Sequence, residues 1–303
     1  MKFDSIVIGG GPAGLTAGLY TSRAGLKSLL LEKSMFGGQI VNAQSVENYP
    51  GFPDGISGYD LATLMHQQST KYGLEIINEE VVSVQTGKPF ILKTTDNTYE
   101  TDTIIIAAGS YYSRLGIGGE EKYIGKGVSY CATCDGFMFR DKEVAVIGGG
   151  DTAISDALEL TQHSSIVYLI HRRDQLRASQ VLQNRAFAEP KLKFIWDTVV
   201  DNITGDQFVK SLQLRNVKTG EKSTLPLSGI FVAIGVNPNT AIFTDILELA
   251  PSRQIVINSG MATSVPGIFA AGDIRKDSPR QVSAAVGDGA TAALSAFKYL
   301  RES

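Results

Sequence analysis

Short apolar runs recur along the chain, each closed by glycine, polar or charged residues. Two of them open the same pattern. Residues 5–20 read SIVIGGGPAGLTAGLY and residues 143–160 read EVAVIGGGDTAISDALEL. Each is a β-branched run, then a glycine turn, then apolar and small residues at helical spacing. The pattern continues after each helix. KSLLLEK predicts a strand ending at Glu32, and SSIVYLIHRRD one ending at His171 and Arg172. The span from Gly14 to Glu32 nearly equals that from Ala153 to Arg172, so the whole strand–turn–helix–strand unit is duplicated. The copies lie too far apart for a solenoid and suit two nucleotide-binding domains. Further strands are predicted at EIINEEVVSVQT, PFILKTT, TIIIAAG, SLQLRNV, GIFVAIG and QIVI, with helices near residues 59–72, 179–188 and 281–301.

The expected fold is therefore α/β, with two three-layer Rossmann-like domains. The glycine-rich stretch 113–121 and the segment GVNPNT at 235–240 suit crossings between them. The first domain would then be discontinuous, 1–113 plus 243–303, with residues 114–242 inserted as the second.

Composition narrows the class. The 303 residues are 43% hydrophobic and 19% charged, enough for packed cores. A net charge of −3 argues against a general nucleic-acid binder. No run reaches the roughly 18 apolar residues of a membrane span. The chain enters a strand and a glycine turn almost at once, with no basic segment before a cleavable apolar one, so a secretory leader is not expected. Two cysteines do not make a disulfide scaffold. The expected location is cytoplasmic, where a disulfide is usually catalytic.

Gly9-Gly10-Gly11-Pro12-Ala13-Gly14 fits G-x-G-x-x-G between strand and helix. The first glycine makes the tight turn. The second lets backbone approach a pyrophosphate, and the third lets helix pack on strand. The helix N-terminus adds partial positive charge there. Glu32 suits a ribose hydroxyl and would repel a 2′-phosphate, so this turn favours FAD or NAD over NADP. Gly148-Gly149-Gly150-Asp151-Thr152-Ala153 fits the same template with alanine last. Its following strand ends in His171, Arg172 and Arg173, with Arg177 four residues later. Guanidinium groups pair well with a phosphate dianion, which favours NADPH over NADH. An exposed basic loop is the plainer alternative.

Cys131-Ala132-Thr133-Cys134-Asp135 holds both cysteines of the chain. Three readings are open: half of a zinc site, a buried thiol pair, or a redox dithiol. Zinc needs about four ligands, and His66, His163 and His171 are scattered. The redox reading is favoured, because a dithiol is a fitting two-electron acceptor for reduced flavin. Asp135 is either its proton donor and acceptor or a turn residue. The cysteines precede the second glycine turn closely and so belong with the NADPH domain, whereas the flavin belongs with the other. A hinge rotation about the two crossings follows as an expectation.

The chain resembles the low-molecular-weight thioredoxin reductases over essentially its whole length. The resemblance rests on GGGPAGLTAGLY, FGGQI, VENYPGF, GVSYCATCDG, VIGGGDTA, HRRDQLRA, FVAIGVNPNT and GIFAAGDIRKDSPRQVSAA. It implies FAD contacts at Gly38, Gln39, Asn48 and near Val81, with Lys33 beside Glu32 and Ala108 and Gly109 counted in the same site. It places Gly272 and Asp273 at the ribityl and pyrophosphate region, and Arg280, Gln281 and Val282 at the isoalloxazine. Gly235 joins the NADPH site. It further implies that Cys134 faces the flavin, that Cys131 exchanges with a partner disulfide, and that Asp135 is the acid/base. The implied partner is a thioredoxin or a thioredoxin- or glutaredoxin-like disulfide protein, and the implied assembly a homodimer.

The chain departs from the family pattern at four places. Ser155 and Asp156 stand where a glutamate pair is frequent. Ala107-Ala108-Gly109 replaces A-T-G, and Phe137-Met138 replaces an aromatic pair. Asp288 occupies a position commonly held by a small residue. Two other functions share the fold: a flavin reductase working with ferredoxin or another donor or acceptor, and a flavin-binding redox sensor.

Overall fold

The computed structural model describes residues 2–43 and 45–302. The chain forms two compact units, one of residues 1–111 and 237–303, the other of residues 112–236.

The first unit starts with β1 (Lys2–Ile8), α1 (Pro12–Arg23) and β2 (Ser28–Glu32). Then come α2 (Gly58–Thr70), β3 (Glu75–Asn78), β4 (Val81–Gln85), β5 (Phe90–Thr94) and β6 (Thr98–Ile106). Ser57 caps α2, its hydroxyl accepting from the Asp60 amide at 3.0 Å. The chain leaves the unit through β7 (Ser110–Tyr112).

The second unit runs β8 (Val128–Ser129), α3 (Ala132–Asp135), β9 (Glu143–Ile147), α4 (Asp151–Leu160) and β10 (Ile166–Ile170). It continues with α5 (Gln180–Ala188), β11 (Leu192–Ile195), β12 (Thr198–Gly205), β13 (Val209–Asn216), β14 (Lys222–Pro226) and β15 (Gly229–Val232). The return passes through β16 (Val236–Pro238) and ends in β17 (Ile268–Ala270) and the long helix α6 (Val282–Glu302).

The sheet of the first unit runs β3-β2-β1-β6-β5-β4, with β17 also paired to β6. Its β3-β2-β1-β6-β17 part is parallel. Leu29–Leu31 and Ile104–Ile106 are buried without alternation, as strands covered on both faces require. The second unit has a parallel sheet β11-β10-β9-β15-β8 and an antiparallel sheet β12-β13-β14. Both parallel sheets place their glycine turns at the C-terminal ends of the strands, where α/β folds bind ligands.

Two strand expectations need correction. EIINEEVVSVQT does not form one strand. Glu79 and Glu80 break it, so β3 pairs parallel with β2 while β4 pairs antiparallel with β5 at the opposite edge. The Glu79 carboxylate accepts from the Thr94 hydroxyl, Asn97 Nδ2 (2.6 Å) and the Tyr99 hydroxyl (3.2 Å), which fixes the break. QIVI is not a strand either. Ile255 makes only single bridges, to Leu249 and Arg275, although its side chain is fully buried. The predicted helices lie at α2, α5 and α6, within a residue or two of the expected ends.

Helix α6 packs on α1 through small residues. A Cβ at Gly289 would stand 2.2 Å from the Ala13 carbonyl oxygen, so the helices meet at backbone distance. Among the described residues, no helix is long and apolar enough to cross a membrane.

Candidate active site

In the first unit, Gly11 caps α1 and Pro12 opens it, with no acidic residue in the first turn. No acidic side chain of the helix itself therefore offsets the partial positive charge at this end, which suits an anion. The three template glycines, Gly9, Gly11 and Gly14, are not equivalent. A Cβ at Gly9 would lie 2.4 Å from the Ala107 oxygen, and one at Gly14 would lie 1.8 Å from the Gly9 oxygen. A Cβ at Gly11 would meet nothing closer than the Gly38 Cα at 4.0 Å. Two glycines are therefore needed by the fold, and the third faces open space of the kind a pyrophosphate requires.

Glu32 accepts from the Gly10 amide at 2.6 Å and, with its other oxygen, from the Ser34 amide at 2.9 Å. A carboxylate has about four acceptor positions, so capacity for a ribose hydroxyl remains. Lys33 is exposed and pairs with Glu80 at 4.0 Å. Gly38, in the left-handed region, lies against Gly11. Gln39 Nε2 donates to the Ser110 carbonyl. The Ala108 and Gly109 carbonyls are held by Asn239, through its side chain (2.7 Å) and its amide (3.1 Å). Asn48 Nδ2 donates to Gln281 Oε1 at 3.2 Å. Val282 opens α6 against the Ile40, Val46 and Leu61 cluster. Val81 differs from its neighbours, because its side chain packs into the main core and only its backbone is available to a ligand. Gly272 and Asp273 follow β17 in a short turn. Burial holds the Asp273 carboxyl above the ordinary aspartate value, opposed by a hydrogen bond from Ser278 and by Arg280.

The second unit repeats the glycine arrangement. Gly148, with φ +154°, would set a Cβ 2.4 Å from the Ala233 oxygen. Gly150 caps α4, and a Cβ there would meet nothing within 4 Å. Gly149 packs on His171, whose ring lies 2.4 Å from the position of a Cβ. Ala153, last in the motif, is fully buried under the turn. The arginine loop is tied to this turn. The Arg177 amide donates to the Gly149 oxygen (2.7 Å), and the Ser179 amide donates to Asp151 Oδ1 (2.6 Å). Thr152 lies in the first turn of α4. Arg172, Arg173 and Arg177 are exposed, and among the described residues none is in an ion pair.

His171 is buried, with Nε2 lacking a protein partner. Burial first, then the nearby Arg177, push its pKa below the usual histidine value. An orphaned buried nitrogen, an open glycine and unpaired guanidinium groups together fit an anionic dinucleotide. Gly235, with φ +133°, accepts from the Ser113 amide at 2.9 Å.

Cys131 and Cys134 form a disulfide with Cα atoms 5.3 Å apart, which leaves no free thiolates for zinc. Cys131 caps the one-turn helix α3, its Sγ accepting from the Cys134 amide at 3.2 Å. Ser129 organises the motif. Its hydroxyl donates to Asp135 Oδ2 at 2.6 Å and accepts from the Cys131 amide at 3.1 Å. Burial raises the Asp135 pKa, and the Ser129 hydrogen bond offsets that only in part. A carboxyl whose proton is held more tightly than usual, next to a disulfide, can pass protons to and from sulfur. Thr133, between the cysteines, donates to Glu159 on α4 at 2.9 Å. Phe137 and Met138 follow, both exposed, at 38% and 42%.

The model of the pyridine nucleotide-disulphide oxidoreductase family matches residues 3–289. The chain belongs to the pyridine nucleotide-disulphide oxidoreductase family. Within it, the chain is 44% identical over 299 residues to the thioredoxin reductase of Streptomyces coelicolor, covering 97% of this chain and 93% of that one. It is 45% identical to that of Listeria innocua, covering 99% and 94%. The solved thioredoxin reductase of Streptococcus pyogenes superposes with a TM-score of 0.96 at 44% identity, covering 100% and 99%.

Some functional residues were not legible beforehand. Ser129 lies two residues before Cys131, but its hydrogen bonds to Asp135 and from the Cys131 amide come only with the fold, as does the contact of Glu120 with Tyr130 beside the motif. Asn239 belongs to the segment GVNPNT, but its grip on Ala108 and Gly109 depends on the return of the chain to the first unit.

Proposed function

We propose that the chain is an NADPH-dependent thioredoxin-disulfide reductase, moving two electrons through FAD to the Cys131–Cys134 disulfide and on to a partner disulfide. The carrying observation is the disulfide itself. It sits on α3 beside a protonatable Asp135, in the same unit as the glycine turn and the arginine loop. The names of the relatives agree with this reading.

The first glycine turn, Glu32 and the Gly272–Asp273 turn hold FAD, which when bound supplies the two-electron chemistry between a nicotinamide and sulfur. The second turn, with Gly148, Gly150 and Ala153, cradles the NADPH pyrophosphate, and Arg172, Arg173 and Arg177 take its 2′-phosphate. Cleavage of the disulfide leaves Cys131 as the exchanging thiolate and Cys134 as its flavin-facing partner. Asp135 delivers and removes the proton at sulfur. Cys131 then attacks the partner disulfide and forms a mixed disulfide. Cys134 displaces it, restoring the intramolecular bond and releasing the partner as a dithiol.

Exposed Phe137 and Met138 beside the cysteines offer an apolar, adaptable contact to the partner. The partner is a thioredoxin or a thioredoxin- or glutaredoxin-like protein, and the enzyme works as a cytoplasmic homodimer. Hydride delivery and disulfide reduction involve groups assigned to different units, so turnover includes a reorientation about the two crossings. A cross-link between the units that left turnover intact would count against that step.

The test is NADPH oxidation with a panel of thioredoxins, comparing wild type with Cys131→Ser/Cys134→Ser. The double variant keeps NADPH oxidation with artificial acceptors and loses thioredoxin reduction. Equal thioredoxin reduction by both would refute the proposal and return the flavin-reductase reading.

A further inference from the structure

Asp288 is a buried carboxylate that the reaction above does not use. It lies in the second turn of α6, at 8% side-chain exposure, and pairs with Arg275 at 14%. The pairing is two-pronged: Arg275 Nε donates to Oδ2 at 2.6 Å and the second guanidinium nitrogen to Oδ1 at 3.1 Å. Oδ2 also accepts from the Gly272 amide at 3.1 Å. One carboxylate thus holds both ends of the turn Gly272–Arg275, with Asp273 between them. The remaining guanidinium nitrogen donates to the Lys276 carbonyl at 3.1 Å, which fixes the exit of the turn.

The surroundings connect this turn to the first glycine motif. Gly272 has φ +77°, and a Cβ there would stand 3.0 Å from Ala13 Cβ. Gly289, next to Asp288, touches the Ala13 backbone. The N-terminus of α1 and the Gly272 turn are therefore held in one fixed arrangement, with the ion pair behind it. A lone carboxylate at this depth would oppose a pyrophosphate at the α1 N-terminus, and the guanidinium cancels its charge. Buried ion pairs add little to stability compared with apolar packing, so this one is better explained by the geometry it imposes.

We propose that Asp288 and Arg275 are positioning residues for FAD, clamping the Gly272–Asp273 turn against the first glycine turn so that both present to one ligand. The proposal rests on the reading of the first unit as the FAD-binding unit.

The test uses purified holoenzyme of wild type and of Arg275→Met/Asp288→Ala, which removes both charges together and leaves neither buried alone. FAD release is followed by ultrafiltration at 10 °C, and the melting of FAD-stripped protein is measured separately. The double variant releases FAD at least three-fold faster than wild type. Release less than three-fold faster overturns the clamp, whether or not the stripped protein melts lower. If the double variant does not fold, Arg275→Lys is used, which keeps the charge but loses the fork, and the same three-fold threshold decides. Wild-type protein that binds no FAD would sink the underlying assignment of the unit. Wild-type protein that binds FAD while the variant holds it equally well sinks the clamp alone.

Discussion

Replacing Gly150 by alanine separates what the fold needs from what the nucleotide needs. Gly150 has φ −98° and ψ −178°, a conformation open to any L-residue, and a Cβ there meets nothing within 4 Å. Alanine is a poorer helix N-cap than glycine by about 0.5–1 kcal/mol. The loss of chain entropy in the unfolded state returns about 0.4–1 kcal/mol. The two nearly cancel, and the nucleotide-free protein should melt within about 2 °C of wild type. The added methyl instead occupies the approach of the pyrophosphate to the α4 N-terminus. Losing one charged hydrogen bond there costs about 1.5–3 kcal/mol, or roughly 10- to 150-fold in NADPH affinity. Gly149→Ala is the internal control. Its Cβ would lie 2.4–2.6 Å from three atoms of the His171 ring, so the ring must move and melting must fall. The assay is NADPH titration of each variant beside thermal melts. Equal melting losses for the two variants, or an unchanged NADPH affinity in Gly150→Ala, would refute the reasoning.

Arg172→Ala should weaken NADPH by roughly 10- to 150-fold, the worth of one charged hydrogen bond, and leave NADH use nearly unchanged; equal losses in steady-state assays would remove it from the 2′-phosphate role. Asp135→Asn should slow thioredoxin reduction and yet stabilise the fold at pH 7. The pKa of Asp135 is raised in the folded protein, so its ionisation opposes folding above the ordinary aspartate value; the melting advantage of the variant should shrink as pH falls towards 4, and an advantage that grew would contradict the direction. Glu120 is 2% exposed and accepts from the Leu115 and Gly116 amides and the Tyr130 hydroxyl. Glu120→Ala orphans these donors and should cost about 2–5 kcal/mol in chemical denaturation; a loss under about 1 kcal/mol would show that water replaces the carboxylate.

The parallel cores were legible because strands buried on both faces read as unbroken apolar runs, as in Leu29–Leu31 and Ile104–Ile106. The glycine turns were legible because Gly9, Gly14 and Gly148 stand where a Cβ would strike backbone or the neighbouring helix. What escaped was set by the fold rather than by local pattern. Glu79 and Glu80 look like two charges inside a strand, and only the contacts of Glu79 with Thr94, Asn97 and Tyr99 show a break between strands at opposite edges. The antiparallel sheet was seen only at β13, because β14 is largely exposed and carries no apolar stripe. Asp288 carries no local signal of its role, because its partners Gly272 and Arg275 meet it only where α6 packs back on the turn. Val81 matched a family position, yet its side chain serves the core.

Anaerobic treatment of the holoenzyme with excess NADPH, followed by alkylation and mass analysis, tests the electron route most directly. The account predicts two alkylated sulfurs, Cys131 and Cys134, in wild type. A yellow holoenzyme that oxidises NADPH while both sulfurs remain joined would contradict it.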